Sequence, residues 1–347
     1  MSELRHAAVG LLALVSLAGA VTWGYIDKTG AWAIPPQFEA AGGFDSAGRA
    51  RVGLKGRFGQ IDRTARLRTD TAYLGDVSNF SEGLACVKVR WNGQFGWMDT
   101  MGKMVIAAVY NQGTDFLCGR AWVKGGANSQ WSAIDRRGIE AIQDRFDAVD
   151  GFYEGRARFA NTVVLFDEED EEPSGVEARF GFVDTFGNDI SSDRYEAAGN
   201  FSEGRAAIRL QDKFGFISLS GVQVIPCGYD GVLGFSEGLA VVQRNSKFGC
   251  VDPVGTLVIP MEFGEIRQFR EGLAPAEKDD RWGYIDQTGK FAVAPQFIDA
   301  QPFSEGLAPV RTGARWGYID KTGKLAIPAE FESVSDFSQG LAAAARE

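Results

Sequence analysis

The recurring chemistry in this chain of 347 residues is carboxylate chemistry. Asp27, Asp62, Asp99, Asp135, Asp184, Asp252, Asp286 and Asp320 each open a short polar turn, and all but Asp62 have glycine three residues on. A carboxylate beside a glycine invites a calcium reading. Calcium needs about six or more oxygens converging on one point, whereas each turn offers one carboxylate and no D-x-D-x-D-G loop occurs. The simpler role is local: aspartate bonds its own backbone two residues on, and glycine accepts positive φ. Glu82, Glu154, Glu203, Glu237, Glu271 and Glu305 sit in a second recurring box and read as turn or cap residues. A residue present in almost every copy of a motif is explained by the fold before it is explained by one active site. Glycan cleavage by a carboxylate pair remains the enzymatic alternative, and it needs two carboxyl groups about 5–10 Å apart in one cleft.

Other reactive types are sparse. His6 is the single histidine, which removes histidine catalysis and ligation from the body of the chain. Cys86, Cys118, Cys227 and Cys250 form no CxxC pair and read as free thiols. No catalytic, cofactor or metal site is expected. Arg57, Arg179, Lys213, Lys247, Arg281 and Arg315 each precede an aromatic. They are expected over an aromatic or in solvent, with an anion-binding stripe as the functional alternative. The run Asp167, Glu168, Glu169, Asp170, Glu171, Glu172 cannot be buried, because adjacent like charges repel. It reads as a solvated loop; its functional alternatives are a docking loop for a basic partner or weak calcium binding.

These residues are placed by a repeat. An aromatic, usually followed by glycine, recurs at Trp23, Phe58, Phe95, Trp131, Phe180, Phe214, Phe248, Trp282 and Trp316, with spacings of 35, 37, 36, 49, 34, 34, 34 and 34. A second box, clearest as F-S-E-G-L-A, begins at Phe44, Phe80, Phe116, Phe152, Phe201, Phe235, Phe269, Phe303 and Phe337. A third aromatic lies between them, from Phe38 to Phe331. In the last copy, Leu307 to Arg311, Trp316 to Asp320 and Lys324 to Ile327 alternate as short strands, joined by turns and ended by Pro328. The long spacing marks an acidic loop insertion near 162–176. Repeats two to four lack the proline and should be the least regular.

The pieces (R/K/Q)-(W/F)-G-(Y/F)-(I/V)-D-x-x-G, the following I-P and F-S-E-G-L-A resemble the WG-repeat family, also called KWG repeats, of bacterial proteins. The resemblance covers residues 22 to 343. It implies a repeat architecture that generally has no assigned activity.

The expected fold is all-β, a tandem array of nine antiparallel units of three to four strands. Units that cannot bury both faces alone must stack. The chain enters on an anchor strand and leaves on a strand that lacks its anchor, so one offset would satisfy both ends if they meet. A β-propeller-like ring is therefore preferred; an open β-solenoid or superhelix is the alternative, because 34 residues is short for a four-stranded blade, usually about 40.

Residues 1–20 read as a signal peptide: Ala7 to Ala20 is apolar, Arg5 precedes it, and Ala18-Gly19-Ala20 has the A-x-A form. The run is short for a membrane span, about 20 residues. Residues 21–347 then form one repeat domain, exported to the periplasm or outside the cell, with a cytoplasmic protein as the alternative. A net charge of −10 argues against nucleic acid as a partner. The functional expectation is a non-enzymatic, monomeric module that binds or scaffolds a protein or glycan. The alternatives are the carboxylate-based glycan-active enzyme and an acidic-loop calcium-binding protein.

Overall fold

The computed structural model describes residues 22–45, 47–67, 74–125, 130–166, 173–191 and 193–346. The apolar N-terminal run and the acidic residues 167–172 lie outside the described residues.

The chain forms nine antiparallel sheets arranged as a ring, a nine-bladed β-propeller. Blade 8 shows the pattern: Glu265–Ile266, Leu273–Lys278, Arg281–Asp286 and Phe291–Phe297 pair in chain order. Its first strand has two residues, which is how 34 residues suffice for four strands. Blade 1 takes its strands from both ends of the chain. Its sheet runs Trp32–Phe38, Thr22–Asp27, Leu341–Arg346, Ser333–Val334. Thr22 lies opposite Arg346 and Asp27 opposite Leu341 in an unbroken antiparallel register. The strand that lacked its partner and the strand that lacked its anchor supply each other, and the ring closes.

Local chemistry dictates each blade. The hairpin between second and third strands turns through two residues of positive φ, such as Asn245 and Ser246 or Asp279 and Asp280. Such turns match the right-handed twist of the strands they join. At the other end of the third strand, Asp320 Oδ1 accepts from the Thr322 N–H at 2.9 Å and the Thr322 hydroxyl at 2.6 Å, and Gly323 takes φ 82°. Where Ala65 replaces that glycine, it adopts φ 62° all the same.

The fourth strand then bulges: Trp316 pairs with Phe331 but Tyr318 with Ile327, so two residues on one strand face four on the other. This bulge explains the glycine after the anchor. A Cβ on Gly317 would lie 2.6 Å from the Ile327 carbonyl oxygen and 2.7 Å from the Ala329 nitrogen. Gly24, Gly96, Gly215, Gly249 and Gly283 meet the same backbone. Ser132 occupies this place in repeat four and is buried.

The core lies between blades. Tyr284, Val293 and Phe297 of blade 8 pack against Phe303, Ala308 and Val310 of blade 9. Tyr318 and Phe331 of blade 9 pack against Phe337 and Ala344 of blade 1. Buried polar tips are satisfied across the same junctions: the Tyr318 hydroxyl donates to the Ser335 carbonyl at 2.9 Å, and Tyr284 and Tyr25 make the equivalent bond. At the junction of blades 2 and 3 the apolar cluster shrinks to Val77, Ala85, Val87 and Met98.

Apart from Trp282 the anchor aromatics are half-buried, and the residue two positions on, such as Trp97, Phe216 or Tyr318, is the one sealed in. Repeats two to four were expected to be the least regular; among the described residues the sheets of blades two and five have three strands, and residues 68–73, which follow the third strand of blade two, lie outside the described residues. Blades three and four keep four strands without the proline. The insertion is not a loop from 162 to 176. It lengthens a hairpin whose strands run Arg156–Phe166 and Pro173–Asp184, paired out to Phe166 and Pro173.

Candidate functional site

The second box builds one face of the ring. Each Ser-Glu-Gly-Leu segment is a two-residue turn in which Glu and Gly both take positive φ, as at Glu305, φ 53°, and Gly306, φ 86°. A non-glycine residue is unfavourable there by roughly 1–2 kcal/mol, so its retention asks for a compensating bond. That bond crosses to the next blade. Glu305 accepts the Gly340 N–H at 2.9 Å, Glu237 that of Gly272 at 2.9 Å, and Glu203 that of Gly238 at 2.8 Å. Glu82, Glu154 and Glu271 do the same for Gly119, Gly204 and Gly306. The serine of the box donates to the next box's phenylalanine carbonyl, as Ser304 does to Phe337 at 2.8 Å.

A third contact comes from the turn after the anchor strand. Lys321 Nζ reaches the Glu271 carbonyl at 2.9 Å and its carboxylate at 3.2 Å; Lys28 does the same to Glu305. The bond to Lys28 and the Gly340 N–H outweigh partial burial and hold the Glu305 carboxyl below its ordinary range. The recurring aspartates are equally committed, the Thr29, Thr288 and Thr322 hydroxyls holding Asp27, Asp286 and Asp320 low. Recurring Asp and Glu are thus structural hydrogen-bond acceptors. Among the described residues no group of three or more His, Cys, Asp or Glu is placed to hold a metal ion.

Of the two places expected for the basic residues preceding the anchors, solvent is the one seen at Lys213, Lys247 and Arg281, which are exposed. Lys213 bonds Asp230 at 2.5 Å, and Arg179 and Arg315 pair with Glu177 and Glu332. Cations over several anchors come from the second strand. Arg209 faces Phe214, Arg311 faces Trp316 and Arg51 lies 3.9 Å over Phe58. Strand pairing explains this, because Arg311 lies directly opposite Trp316.

Non-repeating residues mark the interior. Arg270 of blade 8 reaches Asp336 of blade 1 at 3.1 Å, passing blade 9. A contact that skips a blade places both side chains toward the ring axis. Crowding by protein raises the Asp336 carboxyl although water reaches it, and Arg270 opposes that rise. Asp115 of blade 4 is raised by burial as well. Neither signalled itself in the sequence, because both stand in a variable column just before the box phenylalanine. On the outside, the long hairpin presents Val164 opposite Val176, both exposed, with Arg179 paired to Glu177 behind them. The six acidic residues named from sequence follow Phe166 and lie outside the described residues.

Among the described residues no helix is long and apolar enough to cross a membrane. No curated protein matches the chain by sequence. Similar solved structures include apo AztD from Citrobacter koseri, 11% identical, covering 94% of this chain and 99% of that one at TM-score 0.39. An acylaminoacyl peptidase of Pyrococcus horikoshii is 9% identical over 74% of this chain and 52% of its own, at TM-score 0.36. A streptogramin B lyase is 12% identical over 74% and 94%, at TM-score 0.33. Likeness at this level carries no functional argument. The WG containing repeat model matches at 23–58, 95–126, 180–214, 214–248, 248–282, 282–315 and 316–345. Those segments span most of the ring and contain the anchor, the glycine and the box described above, so the chain belongs to the WG containing repeat family.

Proposed function

We propose that this chain is a non-enzymatic binding or scaffolding module, a monomeric ring exported to the periplasm or the cell exterior, which docks a protein or glycan partner. One observation carries the reading: the carboxylates that recur are consumed by turns and by bonds between blades, while the element that breaks the repeat projects. That element is the hairpin Arg156–Phe166 and Pro173–Asp184, joined through Asp167, Glu168, Glu169, Asp170, Glu171 and Glu172. A basic protein surface is the partner chemistry such a sequence favours; nucleic acid, a polyanion, is disfavoured by the net charge of −10.

The test compares the intact chain with one in which Val163 to Glu177 is replaced by Asn-Gly, which restores an ordinary hairpin. Binding is measured against immobilised polylysine and against a glycan array, at low and high salt. Expected is salt-sensitive binding to polylysine that the trimmed chain loses, since exposed charges are screened beyond about 10 Å at 0.1 M salt. Equal binding by both chains overturns the hairpin as the docking element. Hydrolysis of an arrayed glycan overturns the non-enzymatic reading. Export is tested separately by N-terminal sequencing: a chain starting near Val21 is expected, and intact Met1 in the soluble cytoplasmic fraction counts against it.

A further inference from the structure

The turn that follows the third strand differs chemically between two arcs of the ring. In blades 8, 9, 1 and 2 its third residue is threonine, at Thr288, Thr322, Thr29 and Thr64, and each hydroxyl donates to the turn aspartate at 2.6 Å. None of blades 3 to 7 has a threonine there. Met101, Phe186 and Val254 take its place in blades 3, 5 and 7, exposed at 91%, 77% and 74%. In blades 4 and 6 the apolar residue comes two positions later, as Ile139 and Val222, exposed at 55% and 61%. The threonine blades put Lys290, Lys324, Ala31 and Arg66 at that position. Five consecutive blades therefore each present a large apolar side chain at one end of the ring, and the turns of the other four hold none larger than alanine.

A second column changes in step. The residue after the turn aspartate is Lys28, Lys321 or Gln287 in blades 1, 9 and 8, and each bonds the carbonyl of a box glutamate. In blades 5, 6 and 7 it is Thr185, Leu219 or Pro253, and the cation comes from the box instead. Arg120, Arg156 and Arg205 donate to those three carbonyls at 2.9, 3.1 and 3.3 Å. The backbone of these turns is thus fixed without their own side chains. Exchanging a bonded threonine for exposed phenylalanine or valine loses a hydrogen bond and leaves apolar surface in water. The fold gains nothing from it, and exposed apolar residues gathered in one place mark a contact surface.

Geometry selects the occupant. Equivalent positions of a ring stand at one height along its axis, so the five tips share a plane. The turns follow one another around the rim, Gly138, Gly187 and Gly255 lying against Ile106, Ile142 and Ile225 of the preceding blade. Packed sheets stand about 10 Å apart, so five blades spread their tips over about 40 Å of rim. A protein interface gathers its apolar residues into one buried centre. Separate tips in one plane, with polar turns between them, match a bilayer: the tips pass below the headgroups and the turns stay among them. Charge sets the lipid class. Asp99, Asp135, Asp184 and Asp252 of these turns are offset by Lys103, Arg136 and Arg137, so the arc carries little net charge. The whole chain carries −10, which an anionic leaflet repels.

We infer that Met101, Ile139, Phe186, Val222 and Val254 seat the ring on the surface of a bilayer of zwitterionic lipid, dipping into it without crossing. The long hairpin turns at the start of its third strand and Phe186 lies past the end of that strand, so the two elements stand at opposite ends of blade 5. The inference is therefore independent of the docking proposed above, and the hairpin-trimmed chain should bind lipid as the intact chain does.

The experiment is co-sedimentation of the intact chain with phosphatidylcholine vesicles and with phosphatidylglycerol vesicles, at low and high salt. Expected is binding to phosphatidylcholine that high salt does not weaken, since salt screens charges and not apolar burial. The triple variant Met101→Thr, Phe186→Thr, Val254→Thr installs the residue that four blades already use. It should keep the urea midpoint of the intact chain and bind lipid about ten-fold or more weakly. Val176→Thr, on the long hairpin, should bind unchanged. A further readout needs no variant: phosphatidylcholine vesicles should slow peroxide oxidation of Met101 several-fold, followed by peptide mass mapping. No sedimentation up to about 1 mM phosphatidylcholine overturns the proposal in favour of a protein partner. So does binding that the folded triple variant retains, binding confined to phosphatidylglycerol, or oxidation of Met101 that vesicles leave unchanged.

Discussion

Ser338 Oγ donates to the Phe44 carbonyl at 2.6 Å, joining residues 294 apart in sequence. It repeats the bond of Ser304 to Phe337 and of Ser236 to Phe269, so the two ends of the chain are joined by the same chemistry as other junctions of the ring. The seam strand, Leu341–Arg346, covers the edge of Thr22–Asp27 and helps bury Tyr25 and Ile26. Deleting Leu341 to Glu347 should therefore abolish a single cooperative urea transition. Ser338→Ala removes one hydrogen bond and should cost about 0.5–1.5 kcal/mol with cooperativity kept. A deletion that melts like the intact chain would show that closure adds nothing.

Gly317 tests the reason for the motif's glycine. Gly317→Ala forces a Cβ onto fourth-strand backbone that cannot swing aside, and overpacking of this kind costs about 1–3 kcal/mol. Gly313→Ala, where a Cβ meets nothing within 4 Å, is the matched control and should stay within about 0.5 kcal/mol. Indistinguishable urea midpoints would mean that the bulge yields.

Phe303 is fully buried between blades 8 and 9, and Phe303→Ala should cost about 3–5 kcal/mol. Lys321 touches Glu271 from a half-exposed position, and Lys321→Ala should cost under about 1 kcal/mol. Equal small losses in urea melts would contradict the burial of the box phenylalanines.

Acid should act on two sets of carboxyls in opposite directions. Asp27, Asp286 and Asp320 are held low, chiefly by threonine hydroxyls. The stability they add is fully present above the unfolded value near about 3.9 and is lost as pH falls through their folded values. Asp115 is raised by burial, so its ionised form disfavours the fold at neutral pH. That penalty is relieved as pH falls through its raised folded value. Asp115→Asn should accordingly raise the urea midpoint at pH 7, with the advantage shrinking toward pH 4. A lower midpoint at pH 7 would reverse the assignment.

The periodic part of this fold was legible because it is written in columns. The box phenylalanines, the Asp-x-x-Gly turns and the offset between the two ends led to nine units and a ring. What was not legible depended on distance between blades. Trp23, Trp131 and Trp316 stand out by size, yet the smaller residues two positions on, Tyr25, Ala133 and Tyr318, take the sealed position on the same strand face. Where an anchor carries a cation, as Trp316 does, strand pairing supplies it from across the hairpin, which the basic sequence neighbour does not reveal. Arg51, Ser78 and Asp115 are unremarkable singly; they meet only because consecutive blades stack, and no linear spacing encodes that.

The shared blade also sets an order of events during folding. Eight blades are built from contiguous chain, so their hairpins can form as each segment becomes available. The ninth sheet, the one uniting Thr22–Asp27 with Leu341–Arg346, forms only when both segments are present. Until then the early strand carries an open row of backbone donors and acceptors, the kind of edge that recruits foreign strands. The entropic cost of bringing such remote ends together grows only with the logarithm of the loop, so the finished ring suffers little from it. The exposure falls on the waiting intermediate, where non-local pairing is slow. A chain interrupted before Leu341 would hold that edge open indefinitely, which makes aggregation of incomplete products, more than weakness of the complete one, the characteristic failure of this architecture.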